Sequence, residues 1–538
     1  MRDPSLVAAP SVDPATVRVM FEYVAWATFW LLVGTTIGLI ASIKLHWPEF
    51  LPFAWLSFGR VRPAHTNLVL FGWSSLVLVG LSLYVVSRTS RVPLWSPRLA
   101  RIALWLWNLA LLGGLATLLA GVNRGPQEYR EWVWPLAVIL AAAVVIDGYV
   151  AYRTVAARTL PEVYVSNWYI LGGFCYLPIL YVASYLPFYQ AGLGNTVVQG
   201  YYMHNAMGMW FTQLALGVSY YAIPRLLGRP VYSYALGVLG FWTNLLFYPL
   251  IGAHHFIFSP VPWWLQSTAI LFSVGMMVPV WAGTGNLLLT FKGGGGAVRR
   301  SYALPFFVTG LIGYGLASTQ GTIEAFPTAN IYWHFTNFTV GHSHATMYGF
   351  IAFIAWGAVY GLVPRLTGRE PNPLAVGIHF WLALVGILTY VISISVAGVL
   401  QGFAWVAGQS FIASVIAAEP MWLWRTIGGL LMVSSHVVFA ANVWAMRPQS
   451  ASLRRRLLRT WSGSPLELRW AAYGPSRHRR GGHHRVLRVD PRDGGAAGSA
   501  RTGLLDPGRR TAPRARGGAR TTGLPARGLW ILSHAVRT

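Results

Sequence analysis

Trp333-His-Phe-Thr-Asn-Phe-Thr339-Val-Gly-His342-Ser-His344-Ala-Thr-Met-Tyr-Gly-Phe-Ile-Ala-Phe-Ile-Ala-Trp-Gly-Ala-Val-Tyr-Gly361 contains no Lys, Arg, Asp or Glu. As a helix rising about 1.5 Å per residue, it can cross the roughly 30 Å hydrocarbon core of a bilayer. Eleven further apolar stretches of comparable length lie near 17–42, 64–87, 100–121, 132–152, 166–187, 198–224, 233–258, 265–290, 303–326, 374–400 and 421–446. Helices are the natural reading, because a helix satisfies its own backbone polar groups in lipid. The expected fold is an all-α polytopic membrane protein with twelve transmembrane helices. No internal repeat is evident.

Composition agrees. Of 538 residues, 55% are hydrophobic and 10% charged, against about 25% charged in soluble domains. That excludes a soluble enzyme and an intrinsically disordered chain. Cys175 is the single cysteine, which excludes a disulfide framework, a Cys-ligated metal site and covalent attachment of a c-type haem.

The net charge of +26 divides unevenly, +10 over residues 1–446 and +16 over 447–538. Residues 447–538 form an Arg-, Gly- and Pro-rich basic tail without periodicity, expected to be disordered. The charge is therefore no argument for nucleic-acid binding. The organisation expected is an N-terminal cytoplasmic segment at 1–16, a twelve-helix core at 17–446, and the tail at 447–538. Even-numbered loops carry 13 Lys/Arg and odd-numbered loops five, which puts both termini in the cytoplasm.

Ionisable groups inside spans usually mark function. His65, His204, His342 and His344 fall early in spans 2, 6 and 10, which enter from outside; His254 and His255 fall late in span 7, which leaves toward it. All six thus lie at similar depth, as a metal or haem centre needs. His342 and His344 are about 200° apart on a helix and can serve two centres. His254 and His255, about 100° apart, can converge on one metal if the helix end is locally loosened. With His204 they make three imidazoles and leave a position open for substrate. His46, His334, His379 and His436 are read as structural or interfacial.

Arg60-Val-Arg-Pro-Ala-His65-Thr-Asn, Tyr201-Tyr-Met-His204-Asn-Ala-Met-Gly, Tyr248-Pro-Leu-Ile-Gly-Ala-His254-His255, Thr339-Val-Gly-His342-Ser-His344 and Arg425-Thr-Ile-Gly-Gly-Leu carry a family resemblance. Over residues 17–446 the chain resembles subunit I of the haem–copper oxidase superfamily, most closely the cbb3-type cytochrome c oxidases. The resemblance implies that His65 and His344 are axial ligands of a low-spin haem b, and that His342 is the proximal ligand of a high-spin haem b3. It implies copper on His204, His254 and His255. Arg62 and Arg425 match arginines near haem propionates, and Glu128 resembles a carboxylate near a calcium ion, with a surface carboxylate as the alternative.

Tyr248, six residues before His254, separates two chemistries. Reducing O2 to water takes four electrons, and a redox-active side chain helps two metals reach that count. In the cbb3 family a tyrosine at this position is cross-linked to the histidine equivalent to His204. NO reductases of the superfamily need two electrons, lack the tyrosine, and carry a Glu one turn after that histidine, where this chain has Gly208. Other positions depart from the cbb3 pattern. Gln320 stands where a Glu is usual, with Glu324 one turn later, and Gly237 and Gly240 stand where polar side chains of a proton path are expected. Ser233, Tyr234 and Thr243 offer a substitute string of hydroxyls toward Tyr248.

The function expected is a terminal oxidase in a bacterial-type inner membrane, surrounded by membrane lipid. It would be fed electrons by cytochrome c-type partner subunits and protons from the cytoplasm, with O2 as substrate. NO reduction is the alternative within the superfamily. A proton-coupled transporter using intramembrane histidines is the alternative outside it.

Overall fold

The computed structural model describes residues 13–125, 127–186 and 191–448. The N-terminal segment to residue 12 and the tail from 449 lie outside the described residues, as does nearly all of the expected basic extension. Among the described residues every regular element is helical. The long helices are α1 (Pro14–His46), α2 (Phe58–Ser90), α3 (Pro97–Ala120), α4 (Trp134–Ala156), α5 (Val165–Tyr185), α6 (192–227), α7 (Tyr234–Phe256), α8 (Trp263–Thr290), α9 (Leu304–Glu324), α10 (Asn337–Thr367), α11 (Pro373–Val406) and α12 (Phe411–Ala445). Ten of these are long and apolar enough to cross a membrane; α6 and α9 fall outside that group.

Helix ends follow local chemistry. Asp13 caps α1, its Oδ2 accepting from Thr16 N at 2.9 Å, with Pro14 in the first turn. The first helix therefore starts three residues before the expected boundary. Ser96 caps α3 ahead of Pro97, and Asn372 caps α11 ahead of Pro373. Each such cap satisfies an orphan backbone N–H and stabilises by about 1 kcal/mol. Helices α6 and α10 both end in Pro-Arg-Leu-X-Gly, where Gly228 and Gly368 take φ of 64° and 67°. Only glycine adopts that left-handed C-terminal conformation without strain.

Burial sorts the helices. The most apolar windows of α2 and α10 are 94% and 83% buried, while the other eight spans are half buried or less. Helix α6 is likewise enclosed from Gly208 to Tyr220. Helices α2, α6 and α10, which carry His65, His204, His342 and His344, therefore form the centre, and the others, α7 with His254 and His255 among them, surround them with apolar side chains facing outward, such as Ile179, Leu316 and Trp381. That outer surface suits lipid, because it could not stay in water uncovered.

The central helices share a device that no repeat in the sequence announces. Each widens into a π-helical segment three residues after a histidine: Leu68–Ser75 after His65, Met207–Thr212 after His204, and Ala345–Ala352 after His342. A π segment inserts residues into the ladder and turns the following side chains relative to the histidine. The ligand-bearing turn and the packed lower half of each helix can then face their own partners.

Candidate functional site

The end of α7 is where the chain builds its most concentrated cluster. The α-helical part stops at Phe247, and two 3-10 turns follow, Tyr248–Leu250 and Gly252–Phe256. A Cβ on Gly252 would lie 2.4 Å from Tyr201 Cα, and one on Gly200 would lie 2.3 Å from Phe256 Cε2. These two glycines let the tightened turn dock directly on the α6 backbone. The docking brings His254 and His255 onto His204: His204 Nδ1 lies 2.8 Å from His255 Nε2 and 3.1 Å from His254 Nε2. Among the described residues this is the group of His, Cys, Asp or Glu that could hold a metal.

The donor set fits a cation. Ser273 Oγ donates to Ala269 O at 2.6 Å, so at 2.7 Å from His254 Nδ1 it accepts that nitrogen's proton. The His254 Nε2 then presents a lone pair to the cluster. A shared ring proton can hold these nitrogens this close, and a metal with bonds of about 2 Å in its place would bind all three.

The Tyr248 ring lies on the other side of His204, with centroids 4.9 Å apart and planes at 27°. Gly208 makes this place available: its notional Cβ would fall 1.7 Å from Tyr248 Cζ. A glutamate at 208 and the tyrosine at 248 exclude each other.

A second arrangement lies between α2 and α10. The His65 and His344 rings face each other at 6.4 Å between centroids and 13° between planes. Each Nδ1 is occupied by a carbonyl at 2.8 Å, Gly34 O for His65 and Val340 O for His344. Both Nε2 lone pairs are therefore free, and the spacing admits one iron with metal–nitrogen bonds of about 2 Å on each side. Gly38 leaves the room, since a Cβ there would meet His65 Nδ1 at 2.4 Å. Tyr390 of α11 stacks on His344 at 4.4 Å. His342 faces elsewhere, its Nδ1 3.2 Å from Gln320 Oε1 and its ring against Gly321 of α9.

Above these rings lies a charged rim. Arg62 donates to Glu128, Asn67 Nδ2 donates to Glu131 at 2.9 Å, and Arg425 lies 5.3 Å over the Tyr390 ring. Arg425 Nε is buried without a hydrogen-bond partner, as expected of a group waiting for an anion. The calcium expected at Glu128 would have to share that carboxylate with Arg62. Glu131, in the connection before α4, is 4% exposed, and burial pushes its carboxyl up to about 7.

The expected hydroxyl string on α7 does not assemble. Ser233 caps its helix, Thr243 Oγ1 bonds Leu239 O at 2.6 Å, and Tyr234, 44% exposed, bonds Val163 O. Thr243 bonds a carbonyl one turn back and Ser233 accepts from Leu236 N, both local bonds, while Tyr234 is turned to Val163 O in the connection before α5. A different polar line forms instead, and sequence reading missed it. Asn286 Nδ2 bonds Ser233 O at 2.8 Å and Tyr220 Oη at 3.3 Å. Tyr314, buried with its hydroxyl unpartnered, lies within electrostatic range of Tyr220 and Tyr248. Asn244, one turn before Tyr248, accepts from Gln213 at 3.0 Å. These residues come from four helices, so linear spacing could not have grouped them. The histidines read as structural are hydrogen-bonded within the bundle: His436 to Thr35 and Tyr348, and His379 to Tyr360.

Comparison with known proteins matches residues 18–431 to the family described as Cytochrome C and Quinol oxidase polypeptide I. The cbb3-type cytochrome c oxidase subunit CcoN1 of Stutzerimonas stutzeri is 34% identical, over 79% of this chain and 94% of that one. A cytochrome c oxidase subunit 1 homolog of Agrobacterium tumefaciens (strain T37) is 33% identical, over 78% and 82%. Cytochrome c oxidase subunit 1 of Rhodobacter capsulatus is 32% identical, over 82% and 88%. A heme-copper terminal oxidase dimer solved by cryo-EM shares the fold, with a TM-score of 0.67 at 16% identity over 86% of this chain and 92% of that one. With its imidazole clusters carried by α2, α6, α7 and α10 of that fold, the chain belongs to the haem–copper oxidase subunit I family and is an oxidoreductase of the cytochrome c oxidase type.

Proposed function

We propose that this chain is the catalytic subunit of a terminal respiratory oxidase that reduces O2 to water with electrons from a cytochrome c-type partner subunit. The observation that carries the reading is Tyr248 lying on His204, beside three converging imidazole nitrogens, in space that Gly208 leaves open. On this reading His204, His254 and His255 hold copper, His342 holds haem b3, and His65 and His344 hold haem b. Arg62 and Arg425 pair with haem propionates, and Glu128 contributes to a calcium site beside them. When bound, these groups supply electron transfer and O2 activation.

The chain's own residues orient and protonate. Gly34 O and Val340 O fix the tautomers of His65 and His344, Ser273 does the same for His254, and Tyr248 supplies an electron and a phenolic proton to the substrate beside His204. Protons enter at the cytoplasmic ends of α7 and α8 and follow Asn286, Tyr220 and Tyr314 to Tyr248. All twelve long helices cross a bacterial inner membrane, with both termini in the cytoplasm and the electron donor on the outer side. Turnover then adds to the membrane potential.

The test is elemental analysis of purified protein beside gas consumption. Copper and haem iron in a ratio of one to two, with O2 consumed, agrees with the reading. Non-haem iron with N2O formation would establish NO reduction instead, and a protein without a b-type haem spectrum would point to transport.

A further inference from the structure

Tyr169 of α5 is 1% exposed, and its ring stacks on Tyr220 at 5.4 Å and 22°. Its hydroxyl reaches across to α7, donating to Gly237 O at a long 3.4 Å. It also sits 2.9 Å from where a Cβ on Gly240 would be. These two glycines leave a notch one turn long in the face of α7 turned toward α5 and α8. At Gly240 the space is filled by one polar atom, the Tyr169 oxygen, while at Gly237 a Cβ would meet ring carbons of Tyr220 and Val165 Cγ2. On the far side of Gly240 lie Pro279 O and Gly283 N of α8, at 3.7 and 3.9 Å from the same notional Cβ. Tyr314 packs its Cε1 3.5 Å from the notional Cβ of Gly283. The Tyr169 hydroxyl also hydrogen-bonds that of Tyr220, and Tyr314 lies nearby. A phenylalanine would fill the ring site between Tyr220 and Phe241 equally well, whereas a buried hydroxyl costs free energy unless it is bonded, here to Tyr220 and, weakly, to Gly237 O.

We propose that Tyr169 is a working member of the proton path to Tyr248, its hydroxyl bridging Tyr220 to Tyr314 through the notch at Gly237 and Gly240. The inference rests on the oxidase reading, since it assumes that protons travel inward toward Tyr248. In each passage Tyr169 gives its phenolic proton to the Tyr314 side and takes one from the Tyr220 side. One O–H bond breaks as another forms, no charge is left behind, and rotation about the C–O bond resets the donor. The hydroxyl comes from a helix outside the expected path because α7 has no side chain at the two positions facing it.

The experiment uses the whole oxidase with its partner subunits. Tyr169→Phe removes only the oxygen. It should lower steady-state O2 consumption at least tenfold and enlarge the solvent deuterium isotope effect, while the haem spectra and haem reduction by donor stay as in the wild type. Tyr169→Phe with Gly237→Ser should recover much of the rate. A Cβ at 237 meets Tyr220 Cε1 at 3.3 Å, tight but tolerable, and puts a hydroxyl back in the notch. Gly240→Ala reaches the same end by pushing the tyrosine oxygen aside, and decides the matter if Tyr169→Phe does not assemble. Wild-type turnover and isotope effect in both single variants would overturn the proposal. A slow Tyr169→Phe enzyme that the serine does not rescue, with an unchanged isotope effect, would also overturn it, as a packing defect. A wild type that holds no haem or consumes no O2 would instead remove the oxidase reading.

Discussion

Replacing Gly38 with alanine should deprive the protein of its low-spin haem while leaving the fold in place. The added Cβ would lie 2.4 Å from His65 Nδ1 and 2.5 Å from Cε1, and ordinary contact begins near 3.4 Å. The imidazole must therefore retreat by about 1 Å or swing away, because α1 is held against α2 along its length and close-packed interiors yield little. Overpacking of this kind costs about 1–3 kcal/mol. Loss of the bond from His65 Nδ1 to Gly34 O, 2.8 Å long, removes about 0.5–1.5 kcal/mol more. A deficit of about 2–4 kcal/mol is a loss of roughly 30- to 1000-fold in haem retention at that site. The assay is the reduced-minus-oxidised spectrum with haem counted per protein, beside Gly429→Ala as a control. The Gly429 Cβ would meet only Leu39 Cδ1, at an ordinary 3.6 Å. A Gly38→Ala protein with its full low-spin spectrum would show that His65 does not bind haem in the orientation described.

Three further outcomes are expected. His204→Ala should abolish O2 reduction and keep the low-spin spectrum, while His344→Ala should lose that spectrum; the reverse pattern would exchange the two centres. Gly208→Glu should expel the Tyr248 ring, whose Cζ lies 1.7 Å from the notional Cβ, and stop O2 consumption while both haems remain; continued O2 turnover would show that Tyr248 is dispensable. Burial raises the Glu131 carboxyl from 4.5 to about 7, so the fold prefers its protonated form. The stability this contributes is whole below about pH 4.5, falls as pH rises and is gone above about pH 7, with a span of order 3 kcal/mol. Glu131→Gln should flatten the pH dependence of thermal denaturation over that window, and an unaltered curve would show that the carboxyl is ionised in the fold.

Much of the site can be read along the chain because membranes punish buried polarity. Six histidines at one depth in apolar stretches stand out against lipid, and helical angles alone separate His342 from His344. The misreadings share a cause. Ser233, Tyr234 and Thr243 have hydroxyls at promising positions on α7, yet Ser233 and Thr243 bond the backbone of their own helix and Tyr234 bonds Val163 O, so they form no string. Tyr390, Ser273 and Tyr169 carry no mark in their neighbouring residues. Ser273 and Tyr390 touch the helix just before their own and Tyr169 touches α7, in each case across an interface between helices. Glycine spacing was the neglected signal, since Gly34, Gly38, Gly200, Gly208, Gly240 and Gly252 all mark places where another group comes close.

Ten of the twelve expected spans are long and apolar enough to cross a membrane. That the chain is built of long apolar helices was settled by the order of residues, because helix rise and the absence of water in lipid leave few alternatives. The contacts between helices were not. That His204 meets His254 and His255 depends on a 3-10 turn seated on Gly200 and Gly252. That Tyr248 faces His204 depends on a missing side chain at 208, and the polar residues Tyr220, Asn286 and Tyr314 come together from α6, α8 and α9. Such meetings depend on which faces interlock in three dimensions, and residues brought together from separate helices leave no periodic trace along the chain.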